Sequence, residues 1–156
     1  MAVQLTPVYQ LESAVGKGSP NKASDVKVVE GLVELAMRRF SFQTVVTSAK
    51  AKGLPAPDAP LTLTGQYSDN LQKWISFAQA MFKQYHLIGN ADGRIDPLPQ
   101  KASTIDFDGL TKSGKKFTLM QLNICALEQS PEEFMGLRKR EGITFWAHIG
   151  DVDYKF

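Results

Sequence analysis

The sequence predicts a mainly α-helical fold: a small three-helix bundle with an inserted β-hairpin, a fourth helix and an extended C-terminal tail. Three observations point there. Val29, Leu32, Val33, Ala36 and Phe40 recur at the spacing of one buried helical face. Leu71, Trp74, Ile75, Ala78 and Phe82 repeat that spacing further along the chain. The segment "SPEEFMGLRKREG" gathers helix-start chemistry into consecutive residues: Ser130 as N-cap, Pro131 at N1 and Glu133 at N3 as a capping box.

Taken in order, residues 1–23 read as an extended entry segment ending in the turn-rich "GKGSPNK". Ser24 or Asp25 supplies an N-cap for the first helix, because a short side-chain oxygen there can accept a free backbone N–H. The helix can run on through "QTVVTSAKAK", against the stiffness of its β-branched cluster. The proline-rich "GLPAPDAP" then breaks it. The second helix begins at Ser68 or Asp69 and stops at Gly89. "STIDFDGLTKSGKKF" alternates as a hairpin with "KSGK" as its turn. "TLMQLNICALEQ" is the third helix, capped by Thr118, and Gly142 ends the fourth. The tail "ITFWAHIGDVDYKF" is aromatic and partly alternating, as in a strand or extended strap. At 156 residues the chain suits one domain, 1–156, with a core over 14–123 and a C-terminal helix and tail over 124–156.

Composition narrows the function classes. Charged residues nearly cancel, leaving a formal +2, so no strong field draws the chain to nucleic acid or to an anionic membrane. The cationic cluster "RKR" at 138–140 reads as a solvated helix end that complements the helix dipole. A single cysteine, Cys125, excludes an intrachain disulfide framework. The opening residues lack a basic leader followed by an apolar run, and no segment has the length of apolar residues that membrane insertion needs. The expectation is synthesis in the cytoplasm without a signal peptide, so that any action elsewhere needs a carrier other than a cleaved signal.

Cys125 and His148 could form a nucleophile and base, which requires an exposed, activated thiol within reach of the imidazole. Cys125 instead sits in the apolar helical setting "LNICALE", where inert cysteines are common. Asp92, Asp96, Asp106 and Asp108 lack the regular spacing and closing glutamate of a calcium loop, and His86 and His148 form no zinc motif. Asp92 with Asp96, or Asp151 with Asp153, could act as a glycosidase carboxylate pair, yet short loop aspartates more often make turns and caps. No cofactor is implied. Trp74 belongs to the core face, whereas Trp146 and Tyr154 in the tail could stack on a sugar or a partner.

Placed in this order, the motifs resemble a peptidoglycan-binding-like domain of the type found with bacterial type VI secretion and phage-tail-like systems. "SAVGKGSPNKASDVKVVEGLVEL" is similar to that family's opening, with Val15, Gly16, Asn21, Asp25, Val26 and Val29 at matching positions and Glu30 in place of the usual glutamine. "LQKWISFAQAMF" resembles the second helix, through Ile75, Ala78 and Gln79. "ADGRIDP" matches the family's Asp-Gly-Arg-Val-Asp-Pro turn, and "TLMQLN" its following helix. The family's threonine at the entry to helix two is missing from "GQYSDN", and residues 98–117 intervene where the family has only a few. In that turn Gly93 is free to adopt positive φ, Pro97 stiffens the exit, and Asp96 can accept backbone N–H bonds.

The resemblance implies a non-catalytic module that binds peptidoglycan or docks on a secretion-system protein. Asp92, Arg94, Asp96, Trp146 and Tyr154 are its candidate contacts. A small murein-degrading type VI effector is one alternative. The other is a protein-binding adaptor or structural component of the secretion apparatus, contacting its partner through the helix at 130–141 and the tail.

Overall fold

The computed structural model describes residues 7–89, 91–98, 100–101, 104–105, 117–139 and 146–148. Two short strands, β1 (Pro7–Tyr9) and β2 (Val15–Gly16), lead into helix α1 (Ala23–Ala36). Helices α2 (Phe42–Ala51) and α3 (Asp69–Gln84) follow, separated by the proline-rich loop. Next come β3 (Arg94–Ile95), β4 (Gln100–Lys101) and β5 (Thr104–Ile105). Helix α4 (Thr118–Gln129), helix α5 (Pro131–Gly136) with a 3₁₀ turn at Leu137–Lys139, and β6 (Trp146–His148) complete the order.

The bundle is α1, α3 and α4, with α1 lying along α4 and both touching α3. Val29, Leu32 and Val33 of α1 are fully buried, as are Leu71, Ile75 and Ala78 of α3 and Leu119, Leu122 and Ala126 of α4. Each such aliphatic side chain contributes about 1.5–3 kcal/mol for the larger residues, so these stripes hold the bundle together. Trp74 is 6% exposed and joins this core, as its position on the apolar face predicts. The strands form three antiparallel pairs, β1 with β6, β2 with β3 and β4 with β5. The mainly helical class, the small hairpin and the additional C-terminal helix thus match the sequence reading. Among the described residues no helix is long and apolar enough to cross a membrane.

Several boundaries differ from expectation, each for a local reason. Helix α1 begins at Ala23 with Lys22 as a cap that makes no side-chain bond. Asp25 is buried inside the helix, and its carboxylate accepts from the backbone N–H groups of Glu12 and Ser13 instead of capping. The helix ends at Ala36 and does not run on; Ser41 starts α2 afresh by accepting the Thr44 N–H. Phe40 therefore sits in the connecting turn, edge-on to Phe77, still packed on the core. Ser68 caps α3 as expected, through the Leu71 N–H.

Helix α3 stops at Gln84, before Gly89, and His86 in the exit turn takes a left-handed φ of 59°. Thr118 is the first residue of α4 and not its cap, a position held by Phe117. Ser130 does precede α5, with Pro131 in its first turn, but its side chain makes no cap bond. The carboxylate of Glu133 turns away to Arg38 in the turn after α1, so the capping box does not form. The described hairpin, Gln100–Lys101 with Thr104–Ile105, lies earlier than the one expected around "KSGK". That turn, Gly142 and the tail beyond His148 lie outside the described residues. The division between 123 and 124 falls within the single helix α4.

Candidate functional site

The turn at 91–97 is built by backbone geometry and then clamped from three elements. Gly93 adopts φ 77°, the left-handed conformation that glycine enters without steric cost. Asp92 Oδ1 accepts the Arg94 N–H at 2.9 Å, closing an Asx turn. The carboxylate bond expected of Asp96 therefore belongs to Asp92. Asp96 instead meets Arg94, with Nη2 donating to Oδ1 at 3.2 Å.

Strand β3 continues from the turn and pairs with β2, placing Gly16 opposite Arg94 and Val15 opposite Ile95. The approach is close. A Cβ on Gly16 would fall 2.3 Å from the Gly93 carbonyl oxygen, and Gly16 itself has φ 138°. Only glycine fits that juncture. Asn21, at φ 51°, fixes the preceding loop: its Oδ1 accepts the Gly16 N–H at 2.8 Å and its Nδ2 donates to the Gly16 carbonyl at 3.0 Å.

Helix α3 holds the turn from beneath. Gln79 is 1% exposed, and its Oε1 accepts the Gly93 N–H at 2.7 Å. Its Nε2 donates to the Arg94 carbonyl at 2.8 Å and to Thr118 Oγ1 at 3.1 Å, so one amide links α3, the turn and the start of α4. Gln72, two turns up α3 toward its N-terminus, donates to the Gly93 carbonyl at 3.0 Å. A buried amide with its donors and acceptors matched in this way is costly to remove, because it leaves part-buried backbone groups without their partner.

Other buried polar side chains work similarly. Asn123 of α4 accepts the Tyr9 N–H at 2.9 Å and donates to the Tyr9 carbonyl at 3.1 Å, pinning β1 to the bundle. Glu30, where the resembled family has glutamine, accepts the N–H groups of Thr64 and Gly65 at 3.0 and 2.7 Å. Gln10 is fully buried and spans to Leu98, accepting its N–H and donating to its carbonyl, each at 2.8 Å. Sequence reasoning missed Gln10, since nothing in an irregular entry segment signals a buried amide.

Of the predicted contacts, Asp92, Arg94 and Asp96 come together on this one turn, all exposed. Trp146 belongs to a different sheet, where its backbone pairs with Tyr9 of β1. Tyr154 lies outside the described residues, as do Asp106, Asp108, Asp151 and Asp153. The turn offers a polar ligand one guanidinium and two carboxylates in fixed positions. Arg94 and Asp96 partly neutralise each other, and Asp92 commits an oxygen to the backbone.

The thiol option is chemically unfavourable. Cys125 is half-buried on α4, and burial, with Glu128 nearby, pushes its pKa up, away from a reactive thiolate. His148 stands on β6, whose backbone pairs with Pro7 at that position. Among the described residues no group of three or more His, Cys, Asp or Glu side chains is arranged to hold a metal ion. Compared with family models, with characterised proteins and with solved structures, the chain gives no significant match.

Proposed function

We propose that this chain is a non-catalytic recognition module of the bacterial cell envelope, a peptidoglycan-binding-like domain acting with a type VI or related secretion apparatus. One observation carries the reading. The separate segments on which the sequence resemblance rests, Val15–Gly16, Asn21, Gln79, Asp92–Asp96 and Thr118, converge on a single clamped turn. Motifs matched by chance along a chain have no reason to meet at one hydrogen-bonded juncture.

The non-catalytic part rests on chemistry. The one thiol is held toward its protonated form, and, of the candidate carboxylates among the described residues, Asp92 is tied to a backbone N–H and Asp96 to Arg94. Retention on insoluble peptidoglycan tests the proposal: the full chain should sediment with purified sacculi at modest salt, well above a control protein of similar size and charge. Equal sedimentation of the two proteins would sink it. Release of soluble muropeptides during the same incubation would replace recognition with hydrolysis.

A further inference from the structure

Away from the clamped turn, α2 and the proline-rich loop border a shallow, open groove of about 570 Å³. Neither element belongs to the motifs that carry the family resemblance. Phe42, Val46 and Pro55 give the groove apolar surface, Lys50 and Lys73 give it positive charge, and Asp58 gives it one negative charge.

The walls are preformed. Phe42 packs against Trp74 at 6.4 Å between ring centroids, and Trp74 Nε1 donates to the Ala59 carbonyl at 2.9 Å. Asn70 accepts the N–H groups of Asp58 and Ala59 at 2.7 and 3.2 Å, tying the loop to α3. Lys73 is steered by Asp58 at 3.0 Å. Lys50 is exposed on α2, and among the described residues no carboxylate forms an ion pair with it. A groove held rigid before binding loses less entropy when a ligand enters.

We propose that this groove takes the peptide stem of peptidoglycan, an extended chain of small, methyl-bearing residues with free carboxylates. This rests on the cell-wall reading above. The apolar wall suits alanine methyls, and Lys50 suits a carboxylate, while Asp58 on the same lining already balances Lys73. A glycan strand would need many neutral hydrogen-bonding groups, whereas Gln43 is the one side-chain amide along this lining. The open form of the groove admits an extended segment better than an enclosed small molecule.

The test uses the full chain and three probes: a synthetic stem tetrapeptide, the same peptide with its carboxylates amidated, and a murein glycan oligosaccharide without stems. Calorimetry should register the free-acid peptide, with about tenfold weaker binding after amidation and about tenfold loss in Lys50→Glu. Amide NMR shifts should cluster at residues 42–50 and 55–58. Lys50→Gln should weaken binding less than Lys50→Glu, since it removes charge without reversing it. Equal affinity for the amidated peptide, or shifts that map to the 91–97 turn alone, would overturn the assignment. Sacculi stripped of stems by an amidase separate the two proposals. Undiminished retention defeats the groove and leaves the cell-wall reading, whereas failure to retain intact sacculi defeats both.

Discussion

The two faces of this molecule use their polar groups in opposite ways. Around the 91–97 turn, Gln79, Asn21 and Gln72 bond to backbone, and their loss would leave part-buried N–H and carbonyl groups unmatched. Around the α2 groove, Lys50 and Gln43 are exposed, and Lys73 meets only the exposed Asp58. The first face is a framework and the second is a surface available to a partner. The residues that make a sequence resemble a family need not be those that touch its ligand, because a fold's tightest junctions tolerate the fewest residue types.

That contrast is broken most directly at Gly16. Gly16→Ala places a methyl 2.3 Å from the Gly93 oxygen and 2.9 Å from the Arg94 Cα, both backbone atoms that cannot swing aside. It also imposes a side chain on a positive φ. The expected cost is about 3 kcal/mol or more, read as a lower midpoint in urea denaturation. Unchanged stability would show that the β2–β3 juncture is not the framework described above.

Gln79→Ala comes next. It strips partners from the Gly93 N–H, the Arg94 carbonyl and Thr118, for an expected loss of about 2–4 kcal/mol. Hydrogen exchange sharpens the comparison: the Gly93 amide should lose protection while amides in the proline-rich loop do not. A uniform change across both faces would argue that the turn and groove open together.

The same contrast explains which parts of this fold were legible in the sequence. Long apolar stripes announced α1 and α3, because helical period and burial act over many residues at once. The 91–97 turn was legible too, since Asp-Gly has few conformational options. Short-range signals misled where a distant partner competed for the same side chain. Asp25 looked like a cap and serves the entry segment, and Glu133 looked like half of a capping box and serves Arg38. Thr118 looked like a cap and accepts from Gln79. The α2 groove left no trace in the motif reading. It exists because Ser41 starts a separate helix, and Asn70 and Trp74 draw the loop toward it across the fold.

Cys125 gives a smaller effect, read first as a reaction rate. Burial foremost, and the charge of Glu128, raise its pKa, while Arg39 works weakly against them. Thiolate should therefore form at higher pH in the folded protein than in the unfolded chain, and alkylation by iodoacetamide should be slow at neutral pH. The sign for stability follows. The raised folded pKa favours the native state fully below the unfolded thiol value, near 8.5, and that contribution fades as pH climbs through the folded value. A rate profile that rises at or below the free-thiol range would contradict this placement and revive Cys125 as a nucleophile.

The smallest expected effects lie on the groove and at the surface ion pair. Lys50→Glu alters a side chain with no ion-pair partner among the described residues, and Asp96→Ala removes one half of an exposed pair at 3.2 Å. Each should change stability by no more than about 0.5 kcal/mol, since solvent screens exposed charges and surface sites seldom matter to folding. Their value lies in separating the faces by function. With folding intact in both variants, reduced retention on sacculi by Lys50→Glu would place recognition on the groove. Reduced retention by Asp96→Ala alone would move it to the turn, making one patch both framework and binding surface.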